Sequence, residues 1–323
     1  MAQPTNTFDS YAAIGNRESL QDKIYMVSPE GTPVLSAGRR FTATAKFHEW
    51  QRDVLATPNA SNAVIEGDDR TGSVTVPTTR VGNNMQLMDA VAVVSTSQEK
   101  TTAAGRSSEM KYQKAKKFKE LKRDLEARMV SNNAAVAGSS SVARQAGGLG
   151  VMLFTNALHN GAGATAAHNS GAPTTAITAG TNRAFTEALI KTGMQSIFTQ
   201  SGEMPSVLSM TPSHKGTFSA FTGIAVNRVT ITGDKQAMIV GGADIYRSDF
   251  GDLTVVPNYV QATSMASDVL ILNPDAYGVA YLQGFNSEML AKTGHTDKEM
   301  CFVEATVVVT AERANGKIAN LTP

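Results

Sequence analysis

The run from Ser107 to Ala137 contains neither glycine nor proline, and it constrains the chain more than any other stretch. Ala115, Phe118, Leu121, Leu125 and Met129 recur at intervals of three and four, the spacing that aligns side chains on one face of an α-helix. The spacing predicts one helix over 107–137, roughly 45 Å long at about 1.5 Å per residue. Cations crowd the same run: Lys111, Lys114, Lys116, Lys117, Lys119, Lys122, Arg123 and Arg128, against Glu109, Glu120, Asp124 and Glu126. Glu120–Arg123 and Asp124–Arg128 stand at favourable helical spacings, whereas Glu120 and Asp124 repel at i,i+4. A helix this long and this one-sided serves as a beam on which other structure is laid.

The 323 residues suffice for one large domain or two ordinary ones with a true core. Charged residues make up only 18% and glycines number 27, which describes a folded chain rich in strand and loop. A formal net charge of +1 excludes a chain that binds polyanions with its whole surface and leaves the helix as its concentrated cationic element. Cys301 is the single cysteine, so no internal disulfide forms, and its apolar surroundings predict a buried thiol. The N-terminal twenty residues show neither the basic nor the apolar segment of a signal peptide. No apolar run approaches the ~20 residues that cross a bilayer. The expectation is a protein made in the cytoplasm that stays soluble or assembles there, with no membrane partner.

Residues 1–40 read as an arm. Phe8, Tyr11, Ile14, Leu20, Ile24, Tyr25, Val34 and Leu35 are too scattered to make a core, and Ser28-Pro29 and Thr32-Pro33 break regular structure. In residues 41–100, Phe41, Ala43, Ala45 and Phe47 alternate with polar residues and predict a strand, answered by a returning strand through Met85, Leu87, Val91 and Val94. Between them lie the turn formers Pro58, Asn59, Gly67, Asp68, Asp69, Gly72 and Pro77. A two-stranded excursion of this kind is marginal in water, so both it and the arm need another surface to lie on. Ser95 and Gln98 stand at capping-box spacing and predict a short helix before Gly105.

Gly138–Gly150 reads as a flexible exit and a domain boundary. Residues 155–182 are nearly charge-free and predict a long loop. Then follow an amphipathic helix through Phe185, Ile190, Met194 and Phe198, a strand Val207–Met210, and a helix over Ser213–Phe221. Strands are expected at Met238–Val240, Ile245–Tyr246, Leu253–Val256, Val269–Leu272, Val279–Leu282 and Ser287–Leu290, with a long β-branched strand over Met300–Thr310. The middle of the chain is a sheet with covering helices.

Signals for chemistry are weak. His48, His159, His168, His214 and His295 show none of the spacings of metal pairs. Gly147-Gly148-Leu149-Gly150 lacks the third glycine of a dinucleotide fingerprint and reads as a hinge. Glu66-Gly67-Asp68-Asp69 lacks the spaced oxygens of a calcium loop and reads as a solvated hairpin tip. No cofactor, metal or catalytic residue is expected. Lys114, Lys116, Lys117, Lys119, Lys122 and Arg123 can meet phosphates without reading sequence, so a nucleic-acid-associated binding protein is the alternative. Only Tyr112 and Phe118 interleave those cations, and no recognised nucleic-acid module surrounds them.

The order of arm, long hairpin, long helix, glycine-rich exit, mixed middle and closing strand resembles the major capsid proteins of tailed phages with the HK97 fold. The stretches NTFDSYAAIGNRESL, SPEGTP, HEWQ, VIEGDD, TTRVG, AGRSSEMKYQKAKKFKELKRDLEA, YRSDFG, VVPN and LAKTG resemble the SU10-type major head proteins, across residues 5–321. The resemblance implies an α+β chain without enzymatic activity. Its parts would be an N-terminal arm (1–40), an extended β-hairpin loop with flanking peripheral strands (41–100), a peripheral spine helix (101–142), a mixed α/β axial domain (143–283) and return strands of the peripheral β-sheet (284–323). It implies self-assembly as hexamers and pentamers into an icosahedral shell enclosing double-stranded DNA. Further partners would be a separate scaffolding protein, a portal and a cement or decoration protein, with assembly in the host bacterial cytoplasm and little or no N-terminal processing. Lys114, Lys116, Lys117, Lys119, Lys122 and Arg123 would form a DNA-facing surface, and Glu66, Asp68, Asp69 and Arg70 an inter-subunit loop tip.

Overall fold

The computed structural model describes residues 4–11, 13–14, 16, 18–69, 72, 75–221 and 244–323. In chain order the first elements are helix α1 (Pro33–Ala37), strands β1 (Arg39–Thr42), β2 (Phe47–Arg52), β3 (Thr79–Asn84) and β4 (Gln86–Ser95), and helices α2 (Thr96–Lys100) and α3 (Glu109–Met129). Next come α4 (Leu149–Met152), β5 (Ala157–Leu158), α5 (Glu187–Ser201), β6 (Val207–Met210) and α6 (Pro212–Ser219). Strands β7 (Ile245–Ser248) and β8 (Gly251–Pro257), helix α7 (Gln261–Ser264), and strands β9 (Val269–Leu272), β10 (Tyr277–Met289), β11 (Thr296–Val309) and β12 (Gly316–Ile318) complete the chain. The strand expected at Met238–Val240 lies outside the described residues.

Helix α3 is shorter at both ends than the pattern over 107–137 predicts. Its start is fixed by Ser108, whose Oγ accepts from Lys111 N at 3.3 Å, and by Glu99, which accepts from Ser108 Oγ at 2.6 Å and Met110 N at 3.0 Å. Beyond Met129 the short polar side chains compete with helical hydrogen bonding. Ser131 Oγ donates back to Arg128 O at 2.9 Å and accepts from Asn133 N at 3.4 Å. The chain then turns extended, with Val136 and Gln145 bonded to each other in both directions. The expected short helix after Ser95 is present as α2, with Ser95 Oγ accepting from Gln98 N.

Three sheets form. A four-stranded sheet runs β1-β10-β11-β4, a six-stranded sheet runs β5-β12-β9-β6-β8-β7, and β2 pairs only with β3. The alternating stretch 41–47 is therefore not one strand. Ala43 N still bonds Tyr281 O in the four-stranded sheet, whereas Met85 N bonds Lys46 O at the foot of the hairpin. The strands expected at 279–282 and 287–290 are one strand, β10, whose register against β11 shifts between Tyr281 and Asn286. A division at 283/284 falls inside that strand, and β12, from the closing segment, pairs with β9 in the six-stranded sheet. Pairing with a distant strand overrides the local pattern at both places.

Two main cores result. Leu121, Leu125 and Met129 pack with Cys301, Val303, Val307 and Val309, so α3 lies on the four-stranded sheet, with Phe118 half-buried at the margin. Ala115 is exposed and drops out of the expected stripe. Ile190, Met194 and Ile197 of α5 pack with Leu208, Leu253, Ile271 and Ile318 over the six-stranded sheet. No helix among the described residues is long and apolar enough to cross a membrane.

Candidate assembly surfaces

Part of the basic face of α3 is neutralised within the chain. Lys114 Nζ stands 2.6 Å from Glu299, Lys117 Nζ 2.8 Å from Glu120, and Lys119 Nζ 2.7 Å from Glu30. The Lys114 hydrogen bond holds the Glu299 carboxyl below its usual range. Lys122 lies 6.0 Å over the ring of Phe285 and Arg123 lies 5.5 Å over that of Tyr259. Lys116 is exposed and makes no ion pair among the described residues. The expected pairs Glu120–Arg123 and Asp124–Arg128 do not form. Glu120 takes Lys117 instead, and Arg128 donates to the carbonyls of Ala134, at 3.0 Å, and Ala146. Burial first, and then the Glu120 charge, raise the Asp124 carboxyl.

The arm is gripped at its root and bare beyond it. Glu126 is fully buried. Its Oε1 accepts from Val34 N at 3.0 Å and Asn258 Nδ2 at 2.6 Å, and its Oε2 accepts from Leu35 N at 2.7 Å. These bonds satisfy free N–H groups at the start of α1, and the Tyr277 hydroxyl donates to Val34 O at 3.2 Å. Burial raises the Glu126 carboxyl, partly offset by the three donors. Before Glu30, Asp22 accepts from Gly105 N at 3.2 Å and ties the arm to the body. Phe8, Tyr11, Ile14, Leu20 and Val27 are exposed. Sequence reasoning missed Glu126. An acid beside Leu125 on a charged helix carries no local sign that it faces inward.

The hairpin repeats this contrast. At its root Arg52 donates through Nη1 to His168 O at 3.2 Å and through Nη2 to Val309 O at 3.0 Å. Gly82 N donates to Gly171 O at 2.7 Å, the carbonyl that His168 Nε2 also meets at 2.8 Å. The loop 155–182 is thereby fastened to the hairpin. Past Arg52 no strand pairing continues among the described residues until Thr79. Val54, Leu55, Val64, Ile65 and Val76 are exposed there. The Asp68 N–Ile65 O bond of 3.2 Å, with Gly67 at φ +83°, closes a turn that needs glycine at its third position. Glu66, Asp68 and Asp69 are exposed at that turn and make no ion pair with a described residue. Arg70 lies outside the described residues.

Two interior groups anchor the C-terminal end. Lys317 is fully buried, donates to Gly150 O at 2.5 Å, and is lowered to about 8 by burial. Buried His214 meets Thr211 Oγ1 at 2.9 Å through Nδ1 and Thr322 O at 3.0 Å through Nε2. The carbonyl fixes the tautomer: Nε2–H donates to Thr322 O and Nδ1 accepts from the threonine hydroxyl. Among the described residues no three His, Cys, Asp or Glu side chains are placed to hold a metal ion.

A two-core body with a gripped, bare arm and a gripped, bare hairpin is the architecture of a shell-building subunit. The capsid of a native GTA particle superimposes with a TM-score of 0.61 at 10% identity, over 97% of this chain and 98% of that one. The Synechococcus elongatus SrpI encapsulin matches at 0.54 and 10%, over 95% and 92%. The chain belongs to the SU10 major capsid protein family, whose model matches residues 3–322. The major capsid protein of Escherichia phage Phieco32 is 36% identical over 134 residues, a stretch that spans 42% of this chain and 38% of that protein. The family is structural rather than enzymatic, and it leaves the nucleic-acid-binding alternative without support.

Proposed function

We propose that this chain is the subunit of a phage head, joining identical copies as hexamers and pentamers in an icosahedral shell around double-stranded DNA. The observation that carries the reading is the exposed apolar surface of the arm and hairpin, joined to roots that are hydrogen-bonded into the core. Large side chains contribute ~1.5–3 kcal/mol each when buried, and a second copy is the surface a shell subunit meets. Residues 1–40 act as the N-terminal arm and 41–100 as the extended loop with its flanking peripheral strands. The arm before Glu30 and the loop beyond Arg52 lie on neighbours, while α1, β1 and β4 stay in the subunit's own body. The four-stranded sheet with α3 forms the peripheral domain, and the six-stranded sheet forms the axial domain near the capsomer axis.

Scaffolding protein, portal, decoration protein and assembly in the host cytoplasm complete the reading. A DNA-facing role for the helix rests on Lys116, Lys122 and Arg123, which make no ion pair with a described residue, because Lys114, Lys117 and Lys119 are paired within the chain. Expression of the chain with its scaffolding protein, followed by sedimentation and negative-stain microscopy, should yield megadalton shells. A stable 34 kDa monomer under those conditions defeats the proposal.

A further inference from the structure

Beside the arm root a groove of about 720 Å³ opens between α1, α3 and β10. Its apolar lining includes the partly buried rings of Phe41, Phe118, Tyr281 and Phe285. Two cations rim it, Arg40 and Lys122, and neither makes an ion pair with a described residue. This separates them from Lys114, Lys117 and Lys119, whose charges are answered within the chain. The groove therefore presents apolar surface and uncompensated positive charge together.

The hairpin tip has the complementary character. Val64 and Ile65 are exposed apolar residues, followed at once by the carboxylates Glu66, Asp68 and Asp69, which are also without ion-pair partners among the described residues. Ile65 is 78% exposed, so the groove of its own subunit does not take it up. The closed turn through Gly67 presents the segment already shaped, which lowers the ordering cost of docking. About a dozen residues separate Arg52 from Ile65, a reach of up to ~40 Å when extended. The exposed apolar residues of the described arm, Phe8, Tyr11, Ile14 and Leu20, stand among scattered acids, Asp9, Glu18 and Asp22, rather than a run of three within four positions, and match the two cations less well.

We infer that the hairpin tip, Val64–Asp69, of one copy docks in the groove rimmed by Arg40 and Lys122 of a second copy. The inference rests on the shell reading and deepens it by naming the receiving surface. Ile65 fills the space between the aromatic rings, and the tip carboxylates meet the guanidinium and ammonium groups as that space dries. Pairs of this kind set partner choice and register, so the contact fixes how far one hairpin reaches across its neighbour.

The test uses the full chain under conditions where the unaltered protein forms particles. The double reversals Arg40→Glu with Lys122→Glu, and Asp68→Lys with Asp69→Lys, are each expected to lower particle yield about tenfold, corresponding to ~1.4 kcal/mol. All four reversals in one chain should restore it. Melting of the dissociated subunit serves as the folding control and should stay unchanged. Separately, Asp68→Cys with Lys122→Cys should give a ladder of disulfide-linked multimers on oxidation. Particles that form normally from every variant, or that give no ladder, overturn the docking while leaving the shell reading intact. A ladder from Asp9→Cys with Lys122→Cys instead assigns the groove to the neighbour's arm and overturns it too. No assembly from the unaltered chain defeats the shell reading and the docking with it.

Discussion

Leu125 and Ile65 are chemically alike and have opposite fates. Leu125 is about 1% exposed between α3 and the four-stranded sheet, whereas Ile65 is 78% exposed at the end of the hairpin. The first side chain has its partners inside one chain, and the second waits for another copy. The same split runs through the charges. Glu126 is answered by three donors within the core, while Glu66, Asp68 and Asp69 face outward with no ion pair to a described residue. A subunit divided this way folds on one set of contacts and assembles on another, so the two steps can be broken separately.

Leu125→Ala should break the folded side of the comparison most strongly. It leaves a cavity under the helix and should cost about 2–5 kcal/mol, read as a shift in the denaturant midpoint of the dissociated subunit. Glu126→Ala comes next. It strands Val34 N, Leu35 N and Asn258 Nδ2 but also removes a carboxylate whose burial is itself costly, for a net loss of about 1–3 kcal/mol. The expected sign is a new protease cut near 33–37 together with a lower midpoint.

Acid should act more gently through His214. Burial holds its imidazole below the ordinary value, so the folded state favours the neutral ring that bonds Thr211 and Thr322. The unfolded chain takes up the proton first as pH falls through about 6.5, and stability declines from there until the lowered folded-state value is passed. The midpoint of the unaltered subunit should fall between pH 7.5 and pH 5.5, and His214→Asn should flatten that fall. The smallest expected effect on the subunit is the most telling. Ile65→Ser should change its stability by less than about 0.5 kcal/mol yet reduce particle yield. An equal loss in both measurements would erase the contrast drawn here.

Much of the folded body was legible from local pattern. The spacing of Leu121, Leu125 and Met129 marked the buried stripe, and β-branched residues marked β11. Ser95 with Gln98 marked α2. Places decided by distant pairing were not legible. The split of 41–47 between two sheets depends on β10 and β3, and the continuity of β10 depends on its long partner β11. The candidate surfaces divided the same way. A cationic helix was plain in the sequence, but Lys114 meets an acid 185 residues away and Lys119 one that is 89 residues away. Ser131–Asn133 ended the helix early through hydrogen bonds that apolar spacing does not register.

By itself, then, the sequence determined which segments have a core of their own and which do not. Arm and hairpin hold too few apolar residues in succession to bury one another, and that follows from composition and order alone. Only the tertiary structure decided which charges remain uncompensated. Ion pairing depends on separations of a few ångströms between residues far apart in the chain. Folding spends Lys114, Lys117 and Lys119 on Glu299, Glu120 and Glu30, and leaves Lys122 and Arg40 facing outward beside a groove.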